Sequence, residues 1–193
     1  MHYVYPEVES KEDTKKKILK FKLTEKYQEV LVNILRLNQN SSQDCRIMMD
    51  YIFNNKLKKI LELGVSQGYS TVPLLMVSKK LISVDNVNCY DNVMGLLKRW
   101  EIPELSLKWR FILMDDLELL FDRFDMIFLD TSHDYNHTIK ELNKFSNFSD
   151  NIFCHDYNQN GVRWAVQDFL KDNDWQSTQF DTSCGLILIN RRS

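Results

Sequence analysis

Apolar positions recur at two different periods, and the change between them divides the chain. From Thr24, placed to cap a helix, TEKYQEVLVNILRLNQ sets Tyr27, Val30, Leu31, Ile34 and Leu35 at the three-and-four spacing of an amphipathic helix. The spacing returns behind the cap signal SSQD at Cys45, Ile47, Met48, Tyr51 and Ile52, which predicts a second helix. From residue 58 the rhythm shortens. KKILELGV (58–65), KLISVD (80–85), WRFILMD (109–115), FDMIFLD (124–130) and NIFCHD (151–156) are apolar runs too short for helices and read as strands covered on both faces. Amphipathic pieces alternate with them: STVPLLMVSKK, NCYDNVMGLLKRW, the short DLELLFD, YNHTIKELNKF and GVRWAVQDFLKDN. The tail WQSTQFDTSCGLILINRR adds two strand-like runs around DTSCG, a hairpin signal. The pattern predicts an α/β fold, a doubly wound, mostly parallel seven-stranded sheet ending in an antiparallel hairpin. Residues 1–22, polar and lysine-rich (KEDTKKKILKFK), read as a solvated arm. The expected layout is an arm and helical segment over 1–44 and the sheet-bearing domain over 45–193.

Composition narrows the class. With 193 residues, 44% hydrophobic and 27% charged, the chain suits one globular domain with a sizeable core. The 25 Lys and Arg against 27 Asp and Glu give a net charge of -2, which lacks the footprint of a dedicated nucleic-acid binder and favours small partners. Cys45, Cys89, Cys154 and Cys184 form no CxxC pair, which fits a reducing compartment. MHYVYPEVES shows no leader pattern, and no apolar run approaches the ~18 residues of a membrane span, so a soluble, cytoplasmic protein without a membrane partner is expected.

Two of the five glycines, Gly64 and Gly68, fall within LELGVSQGYS (61–70), between the first strand and a helix. Such a loop is a tight turn or a ligand cradle whose backbone N–H groups suit a polar or anionic ligand. A dinucleotide motif GxGxxG fails at Ser66 and Tyr69, and a P-loop fails because no lysine follows Gly68. Acids close the successive strands: Asp85, then Asp115 and Asp116, then Asp130, then Asp156. Singly, each reads as a turn residue. Together they line the edge where open α/β sheets bind ligands.

The pattern ExGxxxGxS, with Asp85 21 residues beyond Gly64, resembles the first two motifs of class I S-adenosylmethionine-dependent methyltransferases. LDTSHDYNH, and CHDYN followed by GVRWAVQDF, resemble the corresponding segments of catechol, macrolide-sugar and cephalosporin-type O-methyltransferases, over roughly residues 45–190. The resemblance implies a Rossmann-like methyltransferase fold, with 45–193 as the S-adenosylmethionine-binding domain. It implies cofactor contacts from Glu62, Gly64, Ser66, Gly68, Tyr69, Ser70, Asp85, Asn86, Asp115, Asp116 and Asp130. In that scheme Glu62 faces the ammonium, Asp85 the ribose hydroxyls, and Asp115 with Asp116 the adenine amino group. The implied reaction is methylation of a hydroxyl on a small molecule or sugar, with a homodimer among the assemblies similar proteins use.

A divalent metal such as Mg can lower the hydroxyl's pKa and fix its position. Asp130 and Asp156 would be its ligands, with Asn158 or His155 as the third. Relatives carry an acid where this chain has His155, and Asn where it has Tyr157. Magnesium prefers oxygen, so His155 or His133, acting with Asp130, is also a candidate general base. Bland readings stand beside these: His137 at the surface, Asp125 and Asp134 as caps, Trp164 and Phe169 in the core. Two further functions stay open. KKKILKFK keeps RNA or protein methylation in view, and Thr131, Ser132 and His155 allow a non-catalytic cofactor-binding scaffold.

Overall fold

A computed structural model describes residues 10–37, 42–120 and 122–192; the start of the expected arm, Ser41 of the SSQD signal and Phe121 of DLELLFD lie outside them. The strands are β1 (Lys59–Leu63), β2 (Lys80–Asp85), β3 (Trp109–Leu113), β4 (Met126–Leu129), β5 (Asn151–Cys154), β6 (Trp175–Phe180) and β7 (Leu186–Arg191). They form one seven-stranded sheet in the order β3-β2-β1-β4-β5-β7-β6. β1 to β5 run parallel, and β7 pairs antiparallel with both β5 and β6. The expected doubly wound sheet with its terminal hairpin is present. Strand order reverses between β1 and β4, so the switch point lies where Gly64 and Asp130 leave the sheet.

The helices are α1 (Lys11–Ile18, extended by a 3-10 turn Leu19–Phe21), α2 (Glu25–Leu37), α3 (Ser42–Asn54), α4 (Thr71–Val77), α5 (Tyr90–Arg99), α6 (Tyr135–Phe145) and α7 (Asn160–Asp172). Pleating sends alternate strand residues to opposite faces. Ile60, Leu81, Met126, Phe128 and Phe153 join the apolar residues of α1 to α5 in one core layer. Leu61, Leu63, Ile82, Val84, Ile127, Leu129 and Ile152 join those of α6 and α7 in the other. Two caps act as expected, Thr24 Oγ1 accepting from the Tyr27 N–H and Asp134 Oδ1 from the His137 N–H, whereas Asp125 caps no helix: its Oδ2 accepts from the Lys58 and Lys59 N–H groups at the start of β1.

Three expectations need correction. β3 is an edge strand rather than one covered on both faces, with Leu113 55% exposed. Trp164 is 54% exposed on α7, whereas Phe169 is buried as expected. Residues 10–21 are not a solvated arm: Ser10 caps α1, and Ile18 and Phe21 are buried in the first core layer, with Phe21 edge-on to Phe53 of α3 at 5.7 Å. A polar, lysine-rich segment thus hides an apolar seam of few residues, too sparse for its period to stand out. Phe21→Ala should therefore cost about 3 kcal/mol, seen as a lower urea midpoint. A solvated arm would leave the midpoint unchanged.

Candidate active site

The β1–α4 loop takes three left-handed conformations, at Gly64 (φ 86°), Ser66 (φ 49°) and Gly68 (φ 79°). The glycines are demanded by proximity as well as by φ. A Cβ on Gly64 would lie 1.9 Å from the Asp130 carbonyl oxygen, and one on Gly68 would lie 2.7 Å from Val93 Cγ2 of α5. The exits of β1 and β4 are joined further by the Asp130 N–H donating to the Leu63 carbonyl at 2.8 Å. Asp85 then pins the loop: its Oδ2 accepts from the Val65 and Ser66 N–H groups at 2.8 and 3.2 Å, and its Oδ1 from the Val87 N–H at 2.9 Å. The expectation of open loop N–H groups is corrected at Val65 and Ser66, because an acid of the chain already occupies them.

Over these strand ends lies a cleft of about 480 Å³. Gly64, Ser66, Asp85, Asn86, Asp115, Asp116 and Asp130 line it, joined by Val65, Met114, Thr131, Ser132 and His137. A second cavity of about 200 Å³ is lined by Asp44, Met48, Tyr69, Ser70, Phe128 and His155. Val65, Ser66 and Asp130 border both cavities. Of the residues singled out from sequence, Glu62, Gly68, His133, Asp156 and Asn158 border neither. Gly68 packs under α5 instead.

Glu62 does not face the cleft. It is fully buried, and its carboxylate accepts from the hydroxyls of Ser70, Thr71 and Ser83 at 2.7, 2.8 and 2.6 Å, linking β1, β2 and the start of α4. Burial raises its pKa to about 7 against the lowering by these hydroxyls. His137, expected at the surface, is part of a cluster. Its Nε2 lies 3.2 Å from Asp116 Oδ2 and 3.6 Å from Glu141 Oε1, and Glu141 also accepts from Thr131 Oγ1. The hydrogen bond to Glu141 raises the His137 pKa to about 9 despite desolvation, while burial raises Glu141 to about 8.

His155 is the hub of the remaining charges. Its Nδ1 lies 2.9 Å from Asp156 Oδ2 and 3.1 Å from Asp130 Oδ1, so the two carboxylates meet at an imidazole nitrogen. Its Nε2 lies 2.9 Å from Oδ2 of Asp44, a residue of α3. Burial alone would lower the His155 pKa; the carboxylates of Asp130, Asp156 and Asp44 around the ring drive it strongly upward instead. Asp156 adopts a left-handed backbone (φ 52°), and its Oδ2 is also 2.7 Å from Nε2 of the half-exposed His133. Asp156 is held below its ordinary pKa: burial pushes it up, but His155 and His133 more than offset that.

Magnesium does not fit the set Asp130, Asp156 and Asn158. Asn158 turns away, its Nδ2 donating to the Thr182 and Ser183 carbonyls of the β6–β7 loop. The nitrogens of His155 and His133 crowd the two carboxylates, and a hard cation that favours oxygen has no match there.

Sequence reasoning missed Asp44, Glu141 and Cys184. Asp44 and Glu141 each carry a visible signal, an acid on the buried stripe of a helix, beside Cys45 and Met48 in α3 and beside Leu142 and Phe145 in α6. Cys184, whose ligand atom comes within 4.8 Å of those of Asp44 and His155, has no such signal; only the fold of the hairpin brings it there.

The buried carboxyl under the loop makes stability depend on pH. The folded chain keeps the Glu62 proton up to about pH 7, whereas an ordinary glutamate releases it near 4.5, so the folded state binds more protons in that window and stability falls as pH rises through it. Glu62→Gln removes this contribution. Between about pH 5 and about pH 8 the wild type should lose up to roughly 3 kcal/mol more than the variant in paired urea titrations. Parallel losses would mean that Glu62 is ionised throughout.

No protein-family model matches the chain, and no curated protein matches it in sequence. Solved structures do match in shape. The O-methyltransferase from Bacillus cereus in complex with SAH is 15% identical at a TM-score of 0.64, over 85% of this chain and 91% of that one. The O-methyltransferase TomG from Streptomyces achromogenes, involved in tomaymycin synthesis and in complex with SAM, is 14% identical at a TM-score of 0.65, over 96% and 100%. An rRNA methylase from Streptococcus thermophilus is 14% identical at a TM-score of 0.61, over 77% and 96%. No helix among the described residues is long and apolar enough to cross a membrane. The chain has the Rossmann-like fold of these methyltransferases, with its cleft at the carboxyl edge of their shared sheet.

Proposed function

We propose that this chain is an S-adenosylmethionine-dependent methyltransferase that methylates a hydroxyl of a small molecule or sugar. One observation carries the reading: two cavities at the switch point share Asp130 as a common wall. The larger falls within the size range of cofactor sites and presents Asp85, Asn86, Asp115 and Asp116 along one side. Asp85 keeps acceptor capacity on Oδ1, which has one backbone partner, for a ribose hydroxyl. Asp115 and Asp116 serve the adenine end, and Gly64 and Ser66 the methionine end. The smaller cavity takes the acceptor. Bound S-adenosylmethionine supplies an electrophilic methyl group on a sulfonium.

The chain's part is to orient the acceptor and take its proton. Asp130 is the ionisable residue among the three that border both cavities, and its carboxylate accepts the hydroxyl proton as the oxygen becomes nucleophilic. His155 has its Nδ1 committed to Asp130 and Asp156, and so fixes the Asp130 carboxylate instead of taking the proton itself. His133, outside both cavities, holds Asp156 from the solvent side, its Nε2 2.7 Å from Asp156 Oδ2.

Calorimetry with S-adenosylmethionine tests the cofactor reading. The wild type should bind it, Asp85→Ala should weaken binding by at least ~10-fold through loss of both a ribose acceptor and the loop anchor, and added magnesium should leave the affinity unchanged. No binding to the wild type would sink the proposal. A panel of hydroxylated acceptors, scored by release of S-adenosylhomocysteine, should show Asp130→Asn slowed by ~10² or more with cofactor binding intact. Turnover confined to RNA, with salt-sensitive binding, would replace the small-molecule acceptor by a nucleic acid.

A further inference from the structure

We propose that Asp44, His155 and Cys184 form a site for a borderline divalent cation of the zinc class. The three come from separate elements: α3, the end of β5, and the β6–β7 loop. One ligand atom from each lies within 4.8 Å of the others. Zn–N and Zn–O bonds of about 2.0 Å and a Zn–S bond of about 2.3 Å put tetrahedral donors roughly 3.3 to 3.6 Å apart, inside that limit.

Asp44 supplies the independent sign of a ligand. Its residue is 0% exposed, and neither carboxylate oxygen has a hydrogen-bond partner. His155 Nε2 also lacks one, although Asp44 Oδ2 is only 2.9 Å away. The two atoms are close without being aligned on an N–H direction. Donors to one cation behave in this way, since they point at a common centre and not at each other. A fully buried carboxylate whose contact with the His155 ring is close but not aligned as a hydrogen bond is costly, and a cation between the three groups removes that cost.

The opposite edge of the ring is arranged as metal-binding histidines require. Nδ1 is hydrogen-bonded to Asp156 Oδ2 at 2.9 Å, which holds the proton on Nδ1 and leaves the Nε2 lone pair for the cation. The donor set of one oxygen, one nitrogen and one sulfur selects zinc or cobalt over magnesium or calcium. With Asp44 and thiolate Cys184 each carrying one negative charge and His155 neutral, a divalent ion brings the site to neutrality. It displaces the Nε2 and thiol protons, which pass to solvent.

Three protein ligands leave a tetrahedral cation one further position. Asp44 and His155 are in the wall of the smaller cavity, so this position falls to the oxygen or sulfur of an acceptor bound there. That last step rests on the methyl-transfer reading; the ligation does not.

Zinc competition against a chromophoric chelator, together with the absorption spectrum of the cobalt-loaded protein, tests the site. The wild type should bind one equivalent, and its cobalt form should show tetrahedral visible bands and a sulfur-to-cobalt charge-transfer band. Cys184→Ser should abolish the charge-transfer band. Cys184→Ser and Asp44→Asn should each weaken zinc by more than ~100-fold, and Asp156→Asn, which acts through His155, by ~10- to 100-fold. Cys89→Ser should bind zinc as the wild type does. Should Asp44→Asn fail to fold by circular dichroism, the half-buried Cys184 still decides the matter. Absence of stoichiometric binding to the wild type, or an unchanged spectrum in Cys184→Ser, would overturn the site. S-adenosylmethionine binding without zinc binding would overturn it while leaving the methyltransferase reading standing, and zinc binding without S-adenosylmethionine binding would do the reverse.

Discussion

At the switch point, the backbone leaving β1 and the backbone leaving β4 come so close that the Asp130 carbonyl fills the space of a side chain on Gly64, 1.9 Å from where its Cβ would be. The rest of the site follows from that contact. With no side chain between the two exits, Asp130 stands at the wall between the cleft and the smaller cavity instead of behind a loop. The loop beyond Gly64 must then turn at once, which it does through left-handed Ser66 and Gly68, and the acid ending the neighbouring strand holds it in place. Beneath it, Glu62 fastens the same strands and the start of α4 through three hydroxyls. The glycines serve first to bring two strand ends together, and a cradle results.

Charge is gathered at this junction to a degree the modest net charge conceals. Asp130, Asp156 and Asp44 surround His155, with His133 beyond Asp156. Such a group is costly to bury unless every member has a partner, and breaking one pair exposes the others to the full desolvation penalty. Asp44 matters most in this respect. It is fully buried, and it arrives on a helix of the N-terminal layer, so the packing of α1 to α3 on the sheet determines a charge at the cavity wall. Core and site are coupled through that one helix.

Much of this was legible in the chain. The five parallel strands, the longer crossover helices and the terminal hairpin announce themselves through short apolar runs and a shift in period, although DLELLFD forms only a 3-10 turn at Asp116–Glu118 among the described residues, and the acids at 85, 115, 116 and 130 do line one cleft. What escaped has physical reasons. A sparse seam such as Ile18 and Phe21 in a lysine-rich stretch gives no periodic signal, although two buried side chains suffice to dock a short helix. Glu62 was misplaced because strand alternation sends it towards α4, beneath the loop, and not out of the strand end. Asn158 was misplaced because a hairpin distant in sequence claims its amide. Cys184 depends on that same hairpin closing over β5, a long-range contact with no local trace.

Methyl transfer as proposed requires the wall that the two cavities share. A crystal structure of the protein soaked with S-adenosylhomocysteine examines it most directly. The adenosine should lie in the larger cleft between Asp85 and Asp116, with the thioether sulfur at Asp130 and turned towards the smaller cavity. Adenosine bound elsewhere, or a sulfur remote from Asp130, would contradict it.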